Sequence, residues 1–379
     1  MAIPSYSRLM GVALSIAAAV WNPACAAHAA ARLPSARSIL AHYIDAIGGE
    51  RNVQAVRTIL IKGKYVEGSD SFDAVMAKMR PYYKLVGDPD KRSKDFEEGY
   101  DGSAWEFYGD PGIVLRTVGA ASAASRHGLS VVSPLADAAE QGSTIELIGP
   151  EEISNRPAYH LRLRMRDGFE EDEFVDAQSW VWIASRKVAP VHAFGAKVTS
   201  QTLFSDYRTV NGVRFAFEGK ETDIATGKVL NEFKTTSIVV NREFDPAVFS
   251  PPKLQQSPLQ DWMQKLFAER EDVAAVLWSY DDFRAAHRDV NTDDAVQAIG
   301  YQILKMDDQK SAVALLERNA QAYPNSSGAA FGLGRAYRTA NRTEDAKREF
   351  TRALALDPKN DRAKKALSEM AAAPPDNAG

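Results

Sequence analysis

Apolar residues recur along the 379-residue chain with two different spacings, and each spacing predicts a different kind of element. Near residue 40 they repeat every three or four positions, as on one face of a helix. The residues concerned are Ile39, Leu40, Tyr43, Ile44 and Ile47. Gly48-Gly49 follows and predicts the end of this helix, because glycine readily adopts the left-handed backbone found there.

Between residues 58 and 240 the pattern changes to short runs rich in β-branched and aromatic residues. The dipeptides Asp101-Gly102, Asp167-Gly168 and Asn211-Gly212 separate several of these runs, and such pairs favour tight hairpin turns. About ten consecutive strands predict one large antiparallel sheet, and twisted sheets of that size tend to curl.

One long interruption, residues 111–142, is rich in Ala, Ser and Gly and is not strand-like. Ser133-Pro134 within it combines a helix-capping residue with a proline at the first helical position. This segment and the helix near residue 40 are therefore expected to cover one side of the sheet.

Helical spacing returns after Pro251-Pro252 and continues to about residue 370. Ser257-Pro258-Leu259-Gln260 predicts a helix start, with a capping serine, a proline at the first helical position and a glutamine three residues after the serine. Residues 258–287 then predict a helical hairpin.

The helical region repeats itself at a spacing of 34 residues. Small Gly and Ala let paired helices approach closely, large Tyr and Phe fill the space between them, and proline ends the second helix. The positions that carry the repeat are Gly300, Ala312, Pro324, Leu333, Gly334, Tyr337, Ala346, Phe350, Ala353 and Pro358. This period and pattern resemble the tetratricopeptide (TPR) repeat.

The resemblance divides the helical region, residues 257–370, into repeats at 293–326 and 327–360 and a capping helix. Two repeats are too few for a stable array, so the hairpin at 258–287 is expected to supply a third. A tetratricopeptide array implies contact with a protein partner.

The strand region, within residues 33–252, resembles the outer-membrane lipoprotein sorting (LolA-like) half-barrel superfamily. The blocks that carry the resemblance are Ala46-Ile47-Gly48-Gly49, Gly99-Tyr100-Asp101-Gly102-Ser103-Ala104-Trp105, Asn155-Arg156-Pro157-Ala158-Tyr159-His160-Leu161, Phe204-Ser205-Asp206-Tyr207-Arg208, Asn211-Gly212-Val213-Arg214-Phe215 and Phe244-Asp245-Pro246. The resemblance implies a curved antiparallel sheet around an apolar groove that binds a lipid or acyl chain without chemical turnover.

Large apolar side chains on the strands are candidates to line such a groove. They are Trp105, Leu161, Leu163, Trp182, Phe204 and Phe217. The alternative is that the same side chains form the core between sheet and helices, which leaves no room for a ligand.

The N-terminal residues 1–29 predict a cleaved signal peptide, with Arg8 ahead of an apolar stretch and small residues after it. The mature protein is then expected in the periplasm or secreted, with no transmembrane span. Cys25, the only cysteine, lacks the context of a lipidation site, so a lipid anchor is disfavoured. The Pro-containing residues 371–379 predict a disordered tail.

Composition and motifs argue against several function classes. The formal net charge of −4 disfavours nucleic acid as a partner. No metalloprotease, serine-hydrolase, P-loop or dinucleotide motif occurs, so we expect no catalytic residues, no metal and no cofactor.

His160 and His192 could be strand neighbours in surface or packing roles. The acidic run Glu170-Glu171-Asp172-Glu173 is interpreted as solubilising charge on an exposed strand.

Together these patterns predict an α+β N-terminal domain, a curved antiparallel β half-barrel with covering helices, followed by an all-α TPR array. The function they favour is that of an exported, non-catalytic binding protein. Its half-barrel would hold a lipid or acyl chain and its array would contact a protein partner. The alternative is an accessory or scaffold subunit of an envelope peptidase or hydrolase complex, with a packed, ligand-free β-domain.

Overall fold

The computed structural model describes residues 33–67, 70–89, 96–109, 113–116, 126–189, 198–254, 257–305 and 308–372. From Ser35 onward the chain forms one compact unit. The predicted signal peptide with Cys25, residue His192, and the predicted tail beyond residue 372 lie outside the described residues.

The N-terminal region is a single antiparallel sheet, with thirteen strands in the described part of the chain. The strands are β1 Thr58–Glu67, β2 Asp70–Met79, β3 Tyr82–Gly87, β4 Phe96–Tyr100, β5 Ala104–Tyr108, β6 Ile113–Arg116, β7 Thr144–Ile153, β8 Arg156–Arg164, β9 Glu170–Asp176, β10 Trp182–Ala189, β11 Val198–Val210, β12 Val213–Asp223 and β13 Val229–Val240. Their order is β6-β5-β4-β3-β2-β1-β13-β12-β11-β10-β9-β8-β7, so the sheet is open, with β6 and β7 at its edges.

This order means that the chain starts the sheet in the middle. Strands β1 to β6 run outward to one edge, the chain crosses to the other edge at β7, and β8 to β13 return until β13 pairs with β1. The two halves therefore join along the β1–β13 pair. Next to that pair, the Arg57 N–H donates to Asn241 Oδ1, and these residues lie 184 positions apart.

The helices of the described residues that accompany the sheet include α1 Ala36–Ala46, α2 Glu50–Ala55 and α3 Pro134–Gln141. Ser35 caps α1 and Ser133 caps α3, each accepting a backbone N–H three residues on. Ile39 and Leu135 share an apolar cluster with Leu161 of the sheet. We call the side of the sheet that carries α1 and α3 the helix face, and the other side the opposite face.

Buried polar contacts attach α3 and the residues before it to the sheet. Lys78 Nζ donates to the carbonyls of Gly128 and Ser130, and burial lowers the pKa of this ammonium to about 8. Asp137 accepts from Arg80 at 2.5 Å and from the Val131 N–H at 2.5 Å. Residues 126–142 of the 111–142 interruption therefore pack on the sheet, as predicted. The prediction that the interruption is not strand-like was wrong for Ile113–Arg116, which forms the edge strand β6.

The C-terminal region is helical and shares one apolar core. Its helices are α4 Pro258–Ala268, α5 Val273–Ala286, α6 Asp293–Lys305, α7 Gln309–Ala322, α8 Ser327–Thr339, α9 Thr343–Leu356 and α10 Asp361–Ala372. In the predicted third hairpin, α4–α5, the rings of Trp262 and Phe283 stack with centroids 4.3 Å apart.

The array packs directly on the β5–β6 edge of the sheet. Leu115 of β6 has no exposed surface and belongs to the apolar core of the array. Gln264 donates to the Val114 carbonyl at 2.6 Å, and buried Gln302 of α6 donates to Glu106 of β5. The array is therefore attached to the sheet by both apolar and polar contacts.

Candidate functional site

An aromatic row crosses the helix face at right angles to the strands. Phe204, Gly219, Phe233, Tyr65 and Phe72 are consecutive partners in the register of β11, β12, β13, β1 and β2. Directly paired residues project to the same face of a sheet, so the four rings are neighbours. A Cβ on Gly219 would lie 2.1 Å from the Phe233 ring, which shows that this ring extends over the glycine.

Trp182 of β10 extends the row at one end, since its ring centroid lies 3.8 Å from that of Phe204. We use the name aromatic row for Trp182, Phe204, Phe233, Tyr65 and Phe72. All five side chains are half-buried. An apolar surface that is neither sealed nor fully exposed is suited to hold an apolar ligand.

The structure brings only two of the predicted groove residues, Trp182 and Phe204, into this row. Leu161 and Leu163 have no exposed surface, and Phe217 is 4% exposed. Leu161 and Phe217 belong to the core beneath α1 and α3. Sequence reasoning missed Phe233, Tyr65 and Phe72, although all three are aromatic residues at alternating strand positions.

Trp105 lies on the opposite face and cannot line the same groove. Successive register partners, Gly99, Lys84 and Ala77, connect Trp105 with Leu60 across the sheet. Leu60 follows the helix-face residue Ile59 in sequence, so Leu60 and Trp105 project to the opposite face. Its indole N–H donates to the Phe249 carbonyl at 2.9 Å, and the ring is 1% exposed. Trp105 therefore attaches the 3-10 helix Pro246–Phe249 to the sheet.

Two rows of mainly polar residues lie beside the aromatic row, further along the same strands. The nearer, which we call the first polar row, consists in register of Glu173, Ser185, Thr202, Glu221 and Asn231. The second polar row consists of Glu171, Lys187, Ser200 and Asp223. The helix face thus changes from apolar to polar within two residues along each strand.

The interpretation of the acidic run 170–173 as exposed charge was wrong for two of its members. Glu173 has no exposed surface and Glu171 is 8% exposed, because alternate residues of β9 turn toward the helix face. Burial, and secondly the negative charge of Glu171, raise the pKa of Glu173 well above its ordinary value. Trp182 Nε1 donates to Glu173 Oε2 at 2.5 Å.

A cleft of about 400 Å³ is lined mainly by residues of the opposite face, and its lining also includes Phe204, Gly219 and Phe233 from the register of the aromatic row. Its apolar lining includes Ile183 and Leu203, and its rim carries charged side chains that pair with one another. Lys220 Nζ, for example, lies 3.0 Å from Glu232 Oε1. This ion pair therefore adds no net charge to the rim of the cleft.

His160 also lies on the opposite face, where it stacks on Phe174 with ring centroids 4.7 Å apart. Its Nδ1 is 3.2 Å from Glu151 Oε2, and its Nε2 is 3.1 Å from Asp172 Oδ1. Burial would raise the pKa of Asp172, but hydrogen bonds from Arg162 and His160 hold it below its usual range. The predicted proximity of His160 to His192 falls outside the described residues.

The tetratricopeptide positions lie where the repeat requires close contact. A Cβ on Gly300 would lie 2.8 Å from the Leu316 side chain, and one on Gly334 would lie 2.7 Å from the Phe350 ring. The buried signature residues are Ala312, Ala346, Phe350 and Ala353 at 0% exposure and Leu333 and Tyr337 at 5%. Pro324 and Pro358 lie in the turns after α7 and α9.

Trp278 of α5 is a large apolar side chain on the surface of the array. It is 62% exposed, and Lys265 Nζ lies 5.2 Å from its ring centroid. Exposed tryptophans are enriched among residues that carry the binding energy of protein interfaces. Trp278 is therefore a candidate contact for a protein partner.

Within the described residues, no group of three or more His, Cys, Asp and Glu side chains is arranged to hold a metal ion. No helix in the described part of the chain is long and apolar enough to cross a bilayer.

In the comparison with protein families, residues 304–370 match the tetratricopeptide repeat. The comparison with curated proteins found no match. Among solved structures, the chain is similar to a DUF1329 family protein from Desulfovibrio piger, with 12% identity, 57% of this chain and 98% of that chain covered, and a TM-score of 0.41. It is also similar to a LolA superfamily protein from Nitrosomonas europaea, with 12% identity, 58% and 99% covered, and a TM-score of 0.41.

The predicted succession of an antiparallel sheet and tetratricopeptide repeats is confirmed. The sheet is antiparallel and open, and the helices that follow it contain the matched repeat. The chain therefore combines an open antiparallel sheet with a region that matches a protein-interaction repeat.

Proposed function

We propose that the protein is an exported, non-catalytic binding protein that holds the alkyl or acyl chain of a lipid along its aromatic row and contacts a protein partner through its array. The observation that carries the proposal is the aromatic row, whose rings are in register and half-buried. Export rests on the predicted signal peptide.

The dimensions of the row support this ligand class. From β10 to β2 the row crosses six strands, and a spacing of about 4.8 Å gives it a length of about 24 Å. The hydrocarbon core of a bilayer is about 30 Å thick, so one lipid chain reaches about 15 Å. Each buried methylene contributes about 0.8 kcal/mol, which is offset in part by ordering the chain.

The test is displacement of the fluorescent probe N-phenyl-1-naphthylamine by decanol, a neutral ten-carbon alcohol. Wild-type protein should show saturable, displaceable binding. Phe204→Ser should weaken decanol binding about tenfold, because a ring at the centre of the row is lost. The matched control is Phe169→Ser, since Phe169 is also half-buried but stacks on His127 at the β8–β9 turn.

Thermal unfolding of both variants checks that the fold is kept. Equal decanol affinity in Phe204→Ser and wild type would place the ligand elsewhere. A wild-type protein without saturable binding would contradict ligand binding altogether.

The second candidate function is that of an accessory or scaffold subunit of an envelope peptidase or hydrolase complex, with a ligand-free sheet. The sealed state of Leu161, Leu163 and Phe217 favours this alternative, because a packed core leaves no space there. The decanol experiment separates the two candidates.

A protein partner is the shared element of both candidates. We expect Trp278→Ala to weaken capture of that partner from a cell-envelope extract without changing thermal unfolding, because the indole is largely exposed. Leu356→Ala, at a residue 37% exposed on α9, is the control. A partner captured equally by all three proteins would exclude Trp278 from the contact.

A further inference from the structure

The polar rows directly adjoin the surface on which the apolar chain is proposed to lie. On β11, β12 and β13, the first-polar-row residues Thr202, Glu221 and Asn231 are each two positions from a member of the register that forms the aromatic row. An amphiphile lying along the row would therefore place its polar end within reach of these side chains.

Carboxylates dominate both polar rows. Within the described residues of the two rows, Glu171, Glu173, Glu221 and Asp223 are acidic and Lys187 is the sole basic residue. Asp223 accepts from the Ala225 N–H and from Thr226, so it mainly fixes the β12–β13 turn. Lys187 offsets part of the negative charge of Glu171 and Glu173, and the three remaining carboxylates outnumber this one ammonium.

Glu173 contains an oxygen that lacks a partner. Its Oε2 accepts from Trp182, but its Oε1 is buried and has no hydrogen-bond partner among the described residues. Burial raises the pKa of Glu173 and so favours its protonated form, whereas a cationic donor supplied by a ligand at this oxygen would favour the ionised form. Because Trp182 is the ring at the β10 end of the aromatic row, the Glu173 carboxyl group lies at that end of the row.

Glu221 lies on β12, three strands from Glu173 in the first polar row, and is half-buried. Its Oε1 accepts from Ser200 Oγ at 2.6 Å and its Oε2 from Asn231 Nδ2 at 2.5 Å. A carboxylate has about four acceptor positions, so these two bonds leave capacity for a further donor.

The aromatic row itself lies in a negative field. Burial, and secondly the charges of Glu67, Glu221 and Glu98, raise the pKa of the Tyr65 phenol. Aromatic faces next to carboxylates are the surroundings in which proteins recognise ammonium groups.

We propose that the helix face selects amphiphiles whose polar end carries an ammonium group, with the apolar chain along the aromatic row and the ammonium at the first polar row, whose carboxylates are Glu173 on β9 and Glu221 on β12. This inference rests on the proposed apolar binding site and adds the chemistry of the ligand's polar end. Decanoate, whose polar end is negative, should be disfavoured at the same place because like charges repel.

The experiment compares three ten-carbon ligands, decylammonium, decanol and decanoate, by displacement of N-phenyl-1-naphthylamine at pH 7.5. In the wild type, decylammonium should bind at least tenfold more tightly than decanol, and decanoate at least tenfold more weakly. The measured quantity is the ratio of each affinity to that of decanol for the same protein, so a general change in apolar binding cancels.

Glu221→Gln and Glu173→Gln should each reduce the decylammonium-to-decanol ratio severalfold, and the double variant should bring it near one. Glu152→Gln, at an exposed position of edge strand β7, should keep the wild-type ratio. Because two single variants are measured, the test still stands if one of them does not fold.

The results distinguish failure of the ammonium site from failure of the apolar site. Decanol binding without any preference for decylammonium would overturn the ammonium site and leave the apolar site intact. A preference that persists in the double variant would also overturn it. If none of the three ligands binds, the proposed apolar site fails and the ammonium site fails with it.

Discussion

The helical array and the sheet bury their apolar residues over very different distances along the chain. In the array, Gly334 of α8 meets Phe350 on the next helix. In the sheet, β1 pairs with β13, and the residues Arg57 and Asn241 beside that strand pair lie 184 positions apart. The array can therefore be disturbed locally, whereas the sheet depends on one distant pairing. The contact between the two regions at Leu115 decides how far they unfold together.

The largest expected effect comes from breaking that contact. Leu115→Ala should lower the free energy of unfolding by about 2–5 kcal/mol, because it leaves a cavity in the core shared by β6 and the array. It should also separate unfolding of the array from unfolding of the sheet in calorimetry.

The control for Leu115 is Leu163→Ala, at an equally buried leucine on β8. It should cost a similar free energy while the transition of the array is kept. If calorimetry of Leu115→Ala shows a single unfolding transition at the wild-type temperature, other contacts couple the two regions.

A smaller effect tests the local packing of the array. Gly334→Ala should lower the free energy of unfolding by about 1–3 kcal/mol, because its Cβ would lie 2.7 Å from the Phe350 ring, which is fully buried. Gly332→Ala on the same helix should instead be neutral or stabilising by up to about 1 kcal/mol, since its Cβ would meet the Gln297 side chain at 3.3 Å and the Leu316 side chain at 3.6 Å.

Urea unfolding followed by circular dichroism measures both variants. Equal stability changes at positions 332 and 334 would mean that the proposed register of the repeat is wrong.

These local contacts explain why the array could be predicted from sequence in detail. Gly300, Gly334 and Phe350 stand at repeat positions, and each touches a neighbour within the same or the adjacent helix pair. The faces of the sheet could not be predicted in this way, because alternation defines two faces without showing which one the helices cover.

Trp105 and the acidic run show the consequence of that ambiguity. Trp105 was a candidate to line the groove, but it is buried and packs on the opposite face. Glu171 and Glu173 alternate with Asp172 in sequence, and their register partners on β8 are Leu163 and Leu161. That alternation was the available signal that the two glutamates face the apolar side.

The smallest effect concerns the polar interior of the sheet, which has no counterpart among the buried signature residues of the array. Because burial and Glu171 raise the pKa of Glu173 in the folded state, deprotonation favours unfolding. Its stabilising contribution is complete below the ordinary glutamate pKa of about 4.3 and is lost as pH rises through the raised value.

Glu173→Gln cannot lose this contribution. The variant should therefore become more stable relative to wild type between pH 4 and pH 8, and each unit of pKa shift corresponds to about 1.4 kcal/mol. Chemical denaturation at several pH values measures the difference, with Glu152→Gln as the exposed control. A difference that stays constant over this range would show that Glu173 titrates normally.

The position of β1 in the middle of the sheet also fixes an order of events during biosynthesis. Translation at about 5–20 residues per second separates the emergence of β1 from that of β13 by roughly 10–40 seconds. During that interval the strand has one unpaired edge with alternating apolar side chains, which is a template for association with other chains. High contact order of this kind slows folding. The nascent protein therefore has a period of dependence on whatever holds unfolded chains in its compartment, and that period ends only when the last strand has been made.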